Sequence, residues 1–260
     1  MTDARAEVLG DPTEAAATAQ FLDAHPEAMA PVTVVIAAFN EAPSIGAVLD
    51  EIPTECCGLE VRVVVVDDGS SDGTAAVARE HGAQVCTLSR NRGQGAAFRV
   101  GYHLARARGA TYIVTTDADG QYDGRELPML LQPLLDDEAD FVTGSRWLGS
   151  LENKDRVRMI GSRVFARLAS ILSGEKITDT SFGFRAMRAE LTGRVNLYQD
   201  QYQSSELLMG VLSRRYRVLE VPMTMRVRSA GVSKKGTNLL YGGRYFRVMA
   251  GTWWRERRGR

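Results

Sequence analysis

A chain of 260 residues with 44% apolar and 25% charged side chains can bury a sizeable core, which excludes a disordered tail, a collagen-like repeat and a low-complexity segment. Its 32 Lys/Arg balance 32 Asp/Glu, yet residues 226–260 hold ten Lys/Arg and one acid, so a basic C-terminal end follows an acidic remainder. Cys56, Cys57 and Cys86, with three scattered histidines, exclude a disulfide framework and a Cys/His zinc site and predict a reducing compartment.

Residues 1–30 are rich in Ala, Glu and Asp, predict at most a loose helix over 14–24, and are assigned no chemistry. Asp3, Glu7, Asp11 and Glu14 interrupt any apolar run there, so no signal peptide is expected. After Pro31, the β-branched run Val32-Thr33-Val34-Val35-Ile36-Ala37-Ala38 predicts a strand buried on both faces. Pro43 opens a helix whose Ile45, Val48, Leu49 and Ile52 recur at helical spacing. A second strand over 61–66 runs into Asp67-Asp68-Gly69-Ser70-Ser71-Asp72-Gly73-Thr74, followed by an Ala-rich helix to about His81. Strands are predicted over 84–88, 112–116 and 140–143, and helices over 96–108 and 127–135. This alternation predicts an α/β fold with a mostly parallel sheet flanked by helices, binding its ligand beyond the carboxyl ends of the strands.

The polar motifs fall at those ends. Asp117-Ala118-Asp119-Gly120-Gln121 places two carboxylates two residues apart beyond a strand, and Gln121 adds a neutral carbonyl. Oxygen donors of this kind suit Mg²⁺ or Mn²⁺ when phosphates complete the shell; acidic caps before the next helix are the plain alternative. The Asp67–Thr74 segment offers carboxylates to ribose hydroxyls or base N–H groups, or Asp72 caps the following helix. Asn91-Arg92-Gly93-Gln94-Gly95 can approach a nucleotide closely, but GxGxxG and GxxxxGK[ST] are both absent.

Residues 155–172 carry Val157, Ile160, Val164, Leu168 and Ile171 at helical spacing, with Arg156, Arg163 and Arg167 beside that stripe. Arg158 and Ser162, four apart, share another face and together can hold a phosphate; a surface helix with solvated arginines is the alternative. Leu239, Phe246 and Trp253 stand seven apart with Met249 nearby, and Arg244 and Arg247 lie off that stripe. Trp253-Trp254 before Arg255, Arg257 and Arg258 suits an interfacial anchor, or a helix packed on the domain by its aromatics. No run of about 18 apolar residues predicts a spanning helix. The basic tail has no recognised nucleic-acid reader motif, so a membrane partner is expected and nucleic acid is not.

Taken together, Ile36-Ala37-Ala38-Phe39-Asn40-Glu41, Asp67–Thr74 and Asp117–Gln121 resemble the family-two inverting glycosyltransferases of GT-A fold. Gly144-Ser145-Arg146, Arg158-x-x-x-Ser162, Thr178-Asp179-Thr180-Ser181-Phe182-Gly183-Phe184-Arg185, Glu220-Val221-Pro222 and Arg228-x-x-Gly231-x-Ser233-Lys234 are similar to the dolichol- and polyprenyl-phosphate mannose synthase branch. The resemblance covers roughly residues 31–235. It implies an N-terminal extension over 1–30, a GT-A (Rossmann-like) glycosyltransferase domain over 31–235, and a basic amphipathic C-terminal segment over 236–260.

That resemblance implies transfer of mannose or glucose from a nucleotide sugar, GDP-mannose or UDP-glucose, to a polyprenyl phosphate. Ala37, Phe39, Glu41, Asp68, Gly95 and Asp117 would bind the donor; Asp117, Asp119 and Gln121 would hold Mg²⁺ or Mn²⁺. Arg146, Arg158, Ser162, Arg228 and Lys234 would bind the acceptor phosphate, with Asp119, Arg146 and Arg228 catalytic. Asp179, Arg185 and Glu206 are further candidates. Two positions depart from the family pattern: Ala37-Ala38-Phe39 where Pro-x-Tyr is common, and Phe182 where a small residue is common. Relatives often carry C-terminal spanning helices; without one, the expectation is a peripheral protein on the cytoplasmic face of a membrane, docked by its own helices or by a separate membrane-anchor protein. The rival functions are transfer to a soluble hydroxyl acceptor, with Glu206 or Asp179 as base, and a non-catalytic nucleotide-sugar-binding membrane protein.

Overall fold

The computed structural model describes residues 11–152, 156–228 and 239–258; the side chains of residues 156–158, 160 and 239–241 are outside the described set. A helix α1 (Pro12–Ala24) precedes β1 (Val32–Ala38), α2 (Ala42–Glu51), β2 (Glu55–Cys56), β3 (Leu59–Asp67), α3 (Thr74–Glu80), β4 (Gln84–Thr87), α4 (Gln94–Ala107) and β5 (Tyr112–Asp117). After a 3-10 turn come α5 (Leu127–Leu135), β6 (Phe141–Leu151), α6 (Arg156–Ser173), β7 (Arg185–Arg188), α7 (Leu191–Arg194), α8 (Gln203–Ser213), β8 (Val218–Met225) and α9 (Leu239–Arg258).

One sheet runs β2-β3-β1-β5-β7-β6-β8, with β4 paired to the other part of β3. The β4, β3, β1 and β5 strands are mutually parallel, as their buried β-branched runs predict. Beyond β5 the sheet is mixed. β7 lies antiparallel to both β5 and β6, and β8 is parallel to β6. Sequence reading had no strand at β2, β7 or β8 and stopped β6 at residue 143, eight residues short. Arg185-Ala186-Met187-Arg188 is short and half cationic, and β8 carries Glu220 and Pro222, so neither shows the apolar run that marks a central strand.

Alternation along the strands splits the core across the two sheet faces. Val32, Val34 and Ile36 of β1 pack with Ile45, Val48 and Leu49 of α2 and with Leu127, Leu130 and Leu131 of α5. Val35 faces the other way, with Phe98 and Leu104 of α4, Leu208 of α8 and Tyr245 and Met249 of α9. Each such side chain contributes roughly 1.5–3 kcal/mol by leaving water. Gly101 lets α4 come close to β1, since a Cβ there would sit 2.2 Å from Val35 Cγ1.

The C-terminal helix turns only part of the predicted stripe inward: Met249 is in the core and Trp253 packs against it, while Phe246 faces out. Tyr245, Val248, Met249, Thr252 and Glu256 are buried, whereas Phe246 is 51% exposed. α6 also defies its apolar spacing: Ala166 and Ala169 face the core, and Val164 and Ile171 of the predicted stripe are 60% and 73% exposed.

Candidate active site

The carboxyl ends of β1, β3 and β5 form one edge, because Ala38 pairs with Asp67 and Ala37 pairs with both Val66 and Asp117. Ala37 is half-buried, and Phe39 and Glu41 follow on the turn into α2. Asn40 holds a left-handed φ of 53°. Its N–H donates to Ser70 Oγ (2.9 Å), and its Oδ1 accepts from the Ser71 N–H (2.9 Å), locking the turn after β1 to the turn after β3. The Glu41 N–H donates to Thr74 Oγ1 at 2.9 Å. Asp72 accepts from the N–H groups of Thr74 and Ala42, so it caps two helix starts at once.

Asp68 is buried, and burial pushes its carboxyl above the ordinary value. Its two oxygens accept from the backbone N–H groups of Arg92 (2.7 Å) and Gly93 (2.8 Å), fixing the 91–95 loop. Gly95 donates its N–H to the Asp200 carbonyl at 2.9 Å, and a Cβ there would lie 1.9 Å from the Gln199 carbonyl. The close approach read from this glycine is therefore made by the chain's own backbone at 199–200.

Asp117 ends β5. Gln94 Nε2 donates to its Oδ1 at 2.8 Å. Its Oδ2 lies 3.0 Å from where a Cβ on Gly183 would stand, so the space beside that oxygen exists only because residue 183 lacks a side chain. Asp119 is buried; its Oδ1 accepts from the Gln121 N–H (3.1 Å), and its Oδ2 meets Arg228 at 2.7 Å. Gln121 and Arg226 exchange a backbone bond (2.8 Å) and an amide-to-carbonyl bond (3.4 Å), while Arg226 grips Glu51 and Asp123. Those contacts bring Arg228 to Asp119 and to within 3.7 Å of Glu41.

Among the described residues no three His, Cys, Asp or Glu side chains are grouped to enclose an ion. Asp117, Asp119 and the Oε1 of Gln121 are nonetheless an all-oxygen set, and the cradle at Gly183 leaves room at Asp117 Oδ2. They fit Mg²⁺ or Mn²⁺ with most ligands supplied by phosphates and water.

A fixed cation stands beside this acidic corner. Between Ser145 and Ser150 the β6–β8 register shifts, and the bulge carries Arg146 and Trp147 out of the ladder. Arg146 Nε and its second guanidinium nitrogen reach Asp179 at 2.5 and 3.3 Å, and it donates to Ser181 Oγ at 3.0 Å. Burial opposes its charge, but the Asp179 carboxylate together with Tyr122 and Tyr245 offsets that and holds its pKa above the ordinary value. Glu220 in turn accepts from the N–H groups of Thr178 (2.7 Å) and Asp179 (2.8 Å). Arg146 lies 5.7 Å from the Phe182 ring centroid. Phe182 is fully buried against Tyr122, so it fills the core and leaves the surface beside Arg146 to other residues.

Trp147 Nε1–H donates to Ser162 Oγ at 3.0 Å, and Arg163 stacks 4.3 Å from the Trp147 ring centroid. Ser162 is thus brought to the residue next to Arg146. The Arg158 side chain and Lys234 lie outside the described residues. Arg185 is buried and donates to the carbonyls of Ser204 and Thr180 (the latter at 3.2 Å), a bracing role behind the 178–181 segment. Glu206 is buried and accepts from the N–H groups of Tyr198 and Gln199 and from Arg255. Sequence reasoning gave no individual role to Gln94, Tyr122, Trp147 or Gly183, whose neighbours in space come from distant segments. Gln94 and Gly183 stand inside motifs read from the sequence, and Tyr122, whose hydroxyl accepts from the Gly183 N–H at 2.9 Å, and Trp147 each follow one directly.

The family model for Glycosyl transferase family 2 matches residues 33–195. The chain is 38% identical to a dolichyl-phosphate hexose transferase of Haloferax volcanii, over 78% of this chain and 86% of that protein. It is 31% identical to a polyprenol monophosphomannose synthase of Mycolicibacterium smegmatis, over 79% of this chain and 82% of the relative. Its fold matches the crystal structure of glucosyl-3-phosphoglycerate synthase from Mycobacterium tuberculosis in complex with Mn²⁺, UDP and glucosyl-3-phosphoglycerate, with a TM-score of 0.69 and 20% identity over 91% of this chain and 84% of that one. At that identity the match is one of fold.

Proposed function

The chain belongs to glycosyl transferase family 2, and from that membership we propose that it moves a hexose from a nucleotide sugar onto a polyprenyl or dolichyl phosphate at a membrane surface, inverting the anomeric carbon. One observation carries the reading. A held guanidinium and the first carboxylate of the acidic pair lie against adjacent residues, with Arg146 over Phe182 and Asp117 against Gly183. An anionic acceptor must be brought to an anionic donor, and this needs a cation for each.

Arg146 takes the acceptor phosphate, already oriented by Asp179 and Ser181, so little ordering remains when the lipid arrives. Ser162 and Arg158 extend that contact, and Arg228 and Lys234 cover the phosphates. Asp117, Asp119 and Gln121 hold Mg²⁺ or Mn²⁺, which when bound neutralises charge developing on the departing diphosphate. Ala37, Phe39, Glu41, Asp68 and Gly95 form or support the nucleotide wall, and the donor is GDP-mannose or UDP-glucose. The acceptor phosphate is ionised near neutral pH and attacks the anomeric carbon directly, without a general base. This fits the state of Asp179 and Glu206: both are buried and committed to donors, and neither is placed to deprotonate a hydroxyl.

No described helix is long and apolar enough to cross a membrane. The exposed Val164 and Ile171 of α6 and Phe246 and Trp254 of α9, among arginines, support peripheral docking on the cytoplasmic face, alone or with a separate anchor protein. The test mixes nucleotide sugars, Mg²⁺ or Mn²⁺, a polyprenyl phosphate and a soluble acceptor, and weighs the products by mass spectrometry. A hexosyl-phosphoryl lipid of inverted configuration is expected; product on the soluble acceptor alone overturns the proposal.

A further inference from the structure

The proposed chemistry makes no use of α1, and no chemistry is expected of residues 1–30 from their composition. Its first turn nevertheless reaches the 91–95 loop. Asp11 divides its carboxylate between two tasks. Oδ1 accepts from the N–H (2.8 Å) and the hydroxyl (2.5 Å) of Thr13, which starts the helix. Oδ2 pairs with the Arg92 guanidinium and lies 3.4 Å from Arg90. One turn on, the buried Glu14 places Oε1 3.6 Å from the same Arg92 guanidinium.

Arg92 is therefore held at both ends: its side chain by two acids of α1, its backbone N–H by Asp68. The next residues complete the line. Gly93 donates to Asp68, and Gln94 donates to Asp117. A second brace comes from Arg99 of α4, which donates to Asp200 (2.6 Å) and to the Gln199 carbonyl (3.2 Å), against which Gly95 is packed. Residues 91–93 precede α4 and Gln94 and Gly95 open it; Gly93, at its N-terminus, has a φ of 96°, so the shape of this turn rests on these grips.

We propose that Asp11 and Glu14 are positioning residues for the nucleotide-sugar site: through Arg92 they set the 91–95 loop so that Gln94 holds Asp117. This rests on the donor half of the proposed function and is independent of which acceptor is used. The helix at the N-terminal end then acts as a brace on the donor pocket, and changes there alter donor affinity without touching the ligand.

The experiment uses the full chain. Asp11→Asn keeps a helix cap while removing the charge, and Glu14→Gln keeps the buried shape. The double variant is compared with wild type for Mn²⁺-dependent binding of UDP and of GDP by calorimetry, for separate donor and acceptor KM values, and for amide exchange at residues 91–95. Expected are a donor KM and a nucleotide Kd raised about tenfold, faster exchange at 91–95, and an unchanged acceptor KM. Arg92→Lys is expected to retain more affinity than Arg92→Gln. Wild-type nucleotide affinity and exchange in the double variant overturn the inference, as does an equal rise in both KM values with a lower Tm. Turnover on a soluble acceptor alone would remove the lipid reading while leaving the nucleotide result to judge this one.

Discussion

Gly183 shows how much a single absent side chain decides. Its Cα position lies between Asp117 Oδ2 and Tyr122, and an added Cβ would be 3.0 Å from the first and 3.2 Å from the second. Gly183→Ala therefore pushes on the one Asp117 oxygen that has room beside it. Turnover is expected to fall by about a hundredfold, with Mn²⁺-dependent nucleotide binding weakened in parallel; wild-type binding in the alanine variant would refute that use of the space. The acidic pair itself was legible in the sequence, because Asp117 and Asp119 follow a strand that reads clearly. Gly183 stood inside the Thr178–Arg185 motif, but its role was not legible, since that comes from a neighbour 66 residues away in the chain, which spacing does not reveal. The contacts of Gln94 and Trp147 were hidden for the same reason.

The first helix shows what one cap controls. Hydrogen bonds from Thr13, with the Arg92 and Arg90 charges, bring the Asp11 carboxyl down from its ordinary 3.8 to about 2. A depressed value means that the ionised form is favoured by folding, so its contribution is full above 3.8 and is lost as the pH falls towards 2. The Tm gap between wild type and Asp11→Asn should therefore be constant at neutral pH, narrow below 3.8 and close near 2. Thermal melts across that range check it, and a gap that widens on acidification would contradict it. Among the elements, the parallel half of the sheet was readable because its strands are buried on both faces and β-branched. β7 and β8 were not, since each is marked by pairing and not by composition. The α6 and α9 helices were readable as helices, but their inward faces only in part: Leu168, Met249 and Trp253 meet the core, while Val164, Ile171 and Phe246 face out. Apolar periodicity names a stripe without saying whether protein or another apolar medium covers it.

For the molecule as a whole, the uneven charge and the outward stripes belong together. Ten basic residues lie in the last 35, and the exposed Ile171 and Phe246 stand on helices that carry Arg163, Arg167, Arg244 and Arg247. Binding to anionic vesicles should weaken as salt rises, because surface charge is screened within about 8 Å at physiological ionic strength. Ile171→Asp with Phe246→Asp should reduce vesicle sedimentation by about tenfold or more while turnover on detergent-dispersed acceptor persists. Equal sedimentation of the variant and wild type would rule out this face.

The place of β7 has a consequence for how the molecule is made. It fills the gap between β5 and β6, yet it emerges from the ribosome after both. Until residues 183–188 arrive, the strand ending in Asp117 has a bare flank, the kind of unpaired edge that recruits stray chains. Synthesis halted before that point yields a half-sheet with its acidic corner unwalled, so the nascent protein acquires its chemistry and its protection from aggregation in the same few residues.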